Sequence, residues 1–155
     1  ATIQLDMNMP ERFDLSCTNE TGVKERLAMI HIAVMGAIER FLVILIEHLA
    51  GAFPLWLSPV QVKILPVGEK FFAYAKTVHV ALLAAGIRSE LDESSETLGK
   101  KVRAAKLEKV PYWIVVGEKE QKDKTVTLED RAGAKDTLPL TGLVPRLTKE
   151  IQEKK

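Results

Sequence analysis

From Val60 onward the chain alternates short apolar runs with amphipathic ones, and this rhythm restricts the fold more than any other feature. Val60–Val67 is a continuous apolar run of strand length. Glu69–Ala85 then sets Phe72, Ala75, Val78 and Leu82 at helical spacing, with Gly86 placed to end the helix. Ile87–Leu91 reads as the next strand and Glu96–Lys109 as a basic amphipathic helix. After Pro111 come the strand Tyr112–Val116, a shorter strand Thr125–Glu129 and a closing helix Leu140–Glu153. Strands separated by helices of this length predict βαβ units. The expected class is therefore α/β, with a mixed, mostly parallel sheet covered by helices.

The first third has a different character. Thr2-Ile3-Gln4-Leu5-Asp6 alternates like a strand with one polar face, and Pro10 to Arg26 is polar enough for a loop or hairpin. Leu27–Met35 is strand-like and stops at Gly36. From Ala37, the residues Ile38, Phe41, Leu42, Leu45, Ile46 and Leu49 recur at spacings of three and four. Val43 and Ile44 carry the apolar surface almost all the way round, which predicts a buried helix ended by Ala50-Gly51. Pro54 and Pro59 frame a linker, so two domains are expected, 1–56 and 57–155.

A chain of 155 residues can bury one good core, or one full domain and a fragment of another. Its start without Met, directly in strand-like sequence, reads as a truncated end. With 22 Lys+Arg against 21 Asp+Glu there is no global cationic field, so any nucleic-acid binding has to come from a local patch. The single cysteine, Cys17, excludes an internal disulfide framework and fits a reducing, cytoplasmic setting. Phe41–Leu57 is the only membrane candidate. Glu47, His48 and Pro54 interrupt it, and it is shorter than the roughly 20 apolar residues that cross a bilayer.

Three groups of side chains stand out chemically. His31 and Arg40 sit in an otherwise almost wholly apolar stretch, where a buried cation is costly unless an anion meets it. A ligand phosphate would serve, pointing to a nucleotide site; a core histidine, and an arginine paired with Glu39 or Glu47, are the alternatives. The helix Glu96–Lys109 carries Lys100, Lys101, Arg103, Lys106 and Lys109, which fits either a solvated face or a local anion-binding surface.

These segments, in this order, resemble the C-terminal part of threonyl-tRNA synthetases, which are class II aminoacyl-tRNA synthetases. Met29–Phe41 is similar to that family's motif 3, a strand followed by a helix. Leu57–Val67 is similar to the start of the anticodon-binding domain shared with the prolyl, glycyl and histidyl enzymes. Thr2–Asp6 and Pro10-Glu11-Arg12-Phe13 are similar to the segment upstream of motif 3. The resemblance implies that 1–56 is a strand–helix fragment of an antiparallel-sheet catalytic domain. It also implies that 57–155 is an anticodon-binding domain.

By the same resemblance Arg40 is the motif 3 arginine that holds ATP with Mg²⁺, and Thr2, Gln4 and Gly36 line the threonine and adenylate pocket. His31 is one of three Zn²⁺ ligands; the metal would bind the amino and hydroxyl groups of threonine, so that valine loses a contact. Arg103 and Glu120 match positions that contact the tRNA anticodon. The chain departs from the family pattern at Ile32 (usually Arg), Ala37 (Ser), Ser95 (Asn), Thr97 (Lys), Lys109 (Arg) and Glu129 (often basic).

The implied function is that of a threonine–tRNA ligase, activating threonine with ATP and transferring it to tRNA(Thr), in an enzyme expected to be a homodimer when full length. A non-catalytic tRNA-binding accessory module that reuses the anticodon-binding domain is the alternative. Without its sheet and partner helices, Leu27–Leu49 is expected to leave an apolar patch exposed. Limited proteolysis is therefore expected to degrade 1–56 first and leave 57–155 intact; the reverse order would refute this division.

Overall fold

A computed structural model describes residues 1–154. They form two units, Ala1–His48 and a second beginning at Leu49. In the first, β1 (Thr2–Asp6) pairs antiparallel with β4 (Met29–Ala33), and a small hairpin pairs β2 (Ser16–Thr18) with β3 (Lys24–Arg26). A short helix, α1 (Asn8–Arg12), occupies part of the segment expected to be loop or hairpin, and α2 (Ile38–His48) follows β4.

The expectation that this helix is buried fails. No residue of α2 is buried, with Val43 62% and Ile44 65% exposed. The reason is a shortage of covering structure: two two-stranded ribbons and two short helices cannot enclose a helix that is apolar nearly all round. His31 and Arg40 are likewise exposed, which corrects the premise of a buried cation. The β1–β4 ribbon shows the same deficit. Its cross-strand partners Ile3 and Ile32, and Leu5 and Ile30, form one apolar face that is more than half exposed.

The second unit holds β5 (Val62–Pro66), α3 (Phe72–Ala84), β6 (Ser89–Leu91), α4 (Leu98–Leu107), β7 (Tyr112–Val116), α5 (Glu118–Asp123), β8 (Thr125–Asp130), β9 (Lys135–Pro139) and α6 (Leu140–Gln152). Its sheet has the order β6-β5-β7-β8-β9. β5 runs parallel to β6 and β7, while the β7–β8 and β8–β9 pairs are antiparallel, so the sheet is mixed. No periodic pattern marks β9, whose residues Lys135-Asp136-Thr137-Leu138-Pro139 carry one large apolar side chain. Between β7 and β8, Gly117 caps the start of the short helix α5, which holds Glu120 in its first turn.

Period-two alternation sorts the strand residues between two layers. Val62, Ile64, Ile114, Val126 and Leu128 face a core closed by Ala75, Val78 and Leu82 of α3 and Leu143 and Leu147 of α6. Leu65 and Trp113 face the opposite side, where Leu98, Val102 and Ala105 of α4 cover them. Helices on both faces make β5 and β7 apolar at nearly every position, as central strands of parallel sheets are. Each fully buried Leu or Ile contributes about 1.5–3 kcal/mol. α3 ends at Gly86, whose φ of +74° suits glycine. There the Gly86 amide donates to the Leu83 carbonyl and the Ile87 amide to the Leu82 carbonyl.

The proline-framed segment before β5 is held to the second unit by hydrogen bonds. Gln61 Nε2 donates to the Leu55 carbonyl at 2.9 Å, and its Oε1 accepts the Arg88 amide at 2.9 Å. The Arg88 guanidinium donates to the carbonyls of Ser58 and Trp56 at 2.8 and 3.0 Å, while Leu55 itself is 2% exposed.

Both tyrosines of the chain ionise with difficulty. Burial, then the carboxylate of Glu150, push the Tyr112 phenol up to about 12, and burial followed by the charge of Glu120 raises Tyr74. Because the folded values lie above the ordinary value of about 10, their stabilising contribution is complete below pH 10 and is lost as pH rises toward 12. A spectrophotometric titration is expected to show less tyrosinate at pH 10 in the folded chain than in denaturant, where both phenols titrate ordinarily. Ordinary titration of both in the folded state would contradict these environments.

Candidate nucleic-acid interface

The two faces of the sheet are covered unequally. α3 and α6 lie over one face, but α4 covers the other only above β5 and β7. The residues of β8 that point to the α4 side, Thr127 and Glu129, are therefore not covered by α4 but are reached from the sides by Glu120 of α5 and Lys106 of α4. They floor an open groove of about 480 Å³, with Val115 beside them, Leu98, Gly99, Val102 and Lys106 along the α4 wall, and Glu120 and Lys135 on the far side.

Glu120 is fixed rather than free. Its Oε2 accepts the Gly117 amide at 3.0 Å and its Oε1 accepts the Thr127 hydroxyl at 2.9 Å. A carboxylate oxygen retains further acceptor capacity after one hydrogen bond, so this group stands oriented toward donors in the groove. Glu129, with a side chain only 9% exposed, lies 3.8 Å from Lys106 Nζ and 3.2 Å from Lys135 Nζ. Lys106 also stands over the Trp113 ring, 5.3 Å from its centroid.

The five cations of the basic helix prove chemically unequal. Lys101 is buried, with Nζ 3.4 Å from the carbonyls of Pro66 and Asp92 and 3.6 Å from the Asp92 carboxylate. Lys100 pairs with Glu96 at 2.8 Å, Lys106 with Glu129, and Lys109 donates to the Ala50 carbonyl. Arg103 is exposed and makes no hydrogen bond or ion pair among the described residues. It lies on α4 four residues after Gly99 and three before Lys106, both of which line the groove, but is not itself one of the lining residues. Expected as a solvated face or an anion site, the helix is thus split between an anchoring cation, paired cations and one free guanidinium. Ser95 and Thr97 are exposed in the segment that leads into α4.

In the first unit, β1 and β4 place Thr2, Gln4 and Asp6 on one face, with His31 directly across from Gln4. Gln4, Asp6, Asn8 and His31 share an open cleft with Leu5 and Met7, whereas Thr2, Gly36 and Arg40 do not line it. His31 Nε2 is 3.1 Å from Asp6 Oδ2, and Asp6 Oδ1 accepts the amides of Asn8 and Met9 at 2.8 and 3.0 Å. The Met9 amide above all, then the Asn8 amide and His31, hold the Asp6 carboxyl below the usual carboxylate range against a smaller opposing effect of burial. Asp6 carries no motif of its own that would mark it as a site residue, although its alternation with Thr2 and Gln4 places it on their face. Arg40 has no hydrogen bond or ion pair among the described residues. No three His, Cys, Asp or Glu side chains among the described residues are grouped so as to hold a metal ion, so the chain's own donors do not complete a zinc site around His31.

Residues 61–150 match the family described as the anticodon binding domain. Over 154 residues, 99% of its length, the chain is 51% identical to the threonine–tRNA ligase of Pelodictyon phaeoclathratiforme, of which it covers 23%. It is 49% identical to the threonine–tRNA ligase of Clostridioides difficile, again over 99% of its length and over 24% of that protein. The chain thus spans about a quarter of the length of these relatives. The crystal structure of the RNA binding domain of threonyl-tRNA synthetase from Cryptosporidium parvum Iowa II superposes with a TM-score of 0.81 at 36% identity, covering 96% of this chain and 38% of that one. The prolyl-tRNA synthetase of Cryptosporidium parvum, crystallised with halofuginone and AMPPNP, shares the fold at TM-score 0.64 and 22% identity, covering 94% of this chain and 31% of its own. The second unit thus has the fold of a known tRNA-synthetase module: the chain is a member of the anticodon binding domain family and corresponds to the C-terminal region of threonine–tRNA ligases.

Proposed function

We propose that this chain is the tRNA-reading end of a threonine–tRNA ligase, and that the groove between α4 and β8 takes unpaired bases of the tRNA(Thr) anticodon loop. The observation that carries this reading is the fixed carboxylate of Glu120 lining the open groove between α4 and β8, with Arg103 exposed on the same helix α4 and unpaired among the described residues. Single-stranded bases are read along their edges once they leave the stack, and a carboxylate accepts from amino and imino groups there. Because Gly117 and Thr127 hold Glu120 in place, no side-chain ordering is needed when a base arrives. Arg103, with a fork of donors and no internal partner, suits a phosphate or a base edge. The near-neutral charge of the chain means that this local arrangement, rather than a broad basic surface, would supply the attraction.

In the whole ligase, residues 1–56 would contribute to threonine activation. Arg40, exposed and unpaired, is suited to ATP phosphate, with Gln4 and Thr2 on the polar face of the β1–β4 ribbon and Gly36 in the turn before α2. His31 would offer one metal ligand, its ring oriented by Asp6, as metal-binding histidines are by carboxylates. Positioning of the threonine carboxylate against the α-phosphate and neutralisation of charge would do most of the catalytic work. The chain itself carries no counterpart of motifs 1 and 2 of class II enzymes. On its own it is expected to give no threonine-dependent pyrophosphate exchange, and robust turnover would contradict this assignment.

Binding should be measurable directly. The 155-residue chain is expected to bind the tRNA(Thr) anticodon stem–loop in a salt-dependent manner. Arg103→Ala should weaken that binding by about 1–3 kcal/mol without changing the thermal unfolding of the second unit. Calorimetric titration at several salt concentrations reads the affinity and its salt dependence, a thermal melt reads the unfolding, and no binding by the unaltered chain would remove the proposal.

A further inference from the structure

Glu129 occupies an unusual position for an RNA-facing groove: a nearly buried carboxylate on the floor, with ammonium groups drawn to it from opposite walls. In sheet register it stands between Trp113 of β7 and Lys135 of β9, all three on the α4 side. Lys135 Nζ approaches to 3.2 Å from the β9 wall and Lys106 Nζ to 3.8 Å from the α4 wall, where Lys106 also rests over the Trp113 ring at 5.3 Å. Both lysine side chains remain at least half exposed, 50% and 65%, so either could reach a phosphate if released. A carboxylate this little exposed holds neutralising cations near it, because they offset the cost of its burial.

We propose that Glu129 is a specificity-determining residue that acts through Lys106 and Lys135, as an internal competitor for RNA phosphate. By engaging both ammonium groups it withholds them from the backbone of any RNA that merely lies across the groove. Phosphate attraction is sequence-blind, so lowering it raises the share of binding that depends on base-edge contacts such as those at Glu120. An RNA whose bases fill the groove gains contacts that do not depend on the two lysines, whereas a mismatched loop has little besides phosphate to offer. Glu129 on this account weakens all RNA binding, but weakens the wrong RNA most.

This inference rests on the groove being the RNA site, and the test separates the two claims. Affinities of the 155-residue chain are measured across a salt series for the tRNA(Thr) anticodon stem–loop and for the same stem–loop with its anticodon bases permuted. Glu129→Gln is expected to tighten binding of the permuted loop roughly three- to tenfold and to lower the ratio between the two RNAs. It should also steepen the dependence of log K on log salt by up to about 1.4, about 0.7 for each ammonium released to a single strand. Glu129→Asp, which keeps the charge, should retain the original slope. Adding Lys135→Gln to Glu129→Gln should take back about half of the increase. An unchanged slope in Glu129→Gln, or equal weakening of both RNAs, would overturn the inference while leaving the RNA site intact. If neither RNA binds the unaltered chain, both claims fall. Lys135→Gln alone gives a reading that does not require Glu129→Gln to fold: the slope should barely move, and a loss of about 0.7 would show that Lys135 already serves phosphate and overturn the competitor role.

Discussion

A five-stranded sheet with two helices on one face and one on the other cannot cover itself, and the candidate chemistry of the second unit follows from that inequality. α3 and α6 close the layer formed by Ile64, Ile114, Val126 and Leu128. α4 closes only the part of the opposite layer that holds Leu65 and Trp113. Beyond α4, strand β8 presents Thr127 and Glu129 to an open groove, and those polar residues are tolerated there because no apolar helix packs on them. Had a fourth helix covered this face, period-two alternation would have required apolar residues at both positions.

The same groove shows how hydrogen bonding fixes an ordinary surface carboxylate in one orientation. Glu120 opens α5, and its side chain returns to the Gly117 amide before the helix while also accepting from Thr127 on the neighbouring strand. One side chain thus satisfies a backbone donor at a helix start and presents oriented lone pairs to the groove. Glu129, two residues along β8 from Thr127, is held by cations instead of hydrogen-bond donors, so the two carboxylates of the groove have different duties despite their proximity.

The first unit illustrates the opposite case, in which secondary structure forms without the surface needed to bury it. Its strands pair and its helix forms, but Ile3, Ile32, Val43 and Ile44 remain largely exposed. Local propensity and backbone hydrogen bonding determine the elements, whereas burial depends on what packs against them. The polar face of the ribbon is better resolved than the apolar one: Asp6 gathers His31 and two backbone amides around a single carboxylate.

By itself the sequence determined the number and kind of most elements, because hydrophobic period and the glycine and proline punctuation are local properties. The strands β5, β7 and β8, the helices α3, α4 and α6, and the α/β class were legible in this way, and the residues resembling motif 3 and the anticodon-binding domain pointed to the family. β9 was not legible, since a strand of largely polar residues at a sheet edge has no periodic signature. The burial of α2 was misjudged because an all-round apolar helix signals a need for partners, not their presence. Only the tertiary structure decided which of the four cations of α4 are free: Lys101 is drawn inward by carbonyls and Asp92, Lys106 is drawn to Glu129 across the sheet, and Arg103 is left without a partner among the described residues. Those outcomes depend on residues 9 to 35 positions away in the chain or on a different strand, and no local pattern in the sequence encodes such distances.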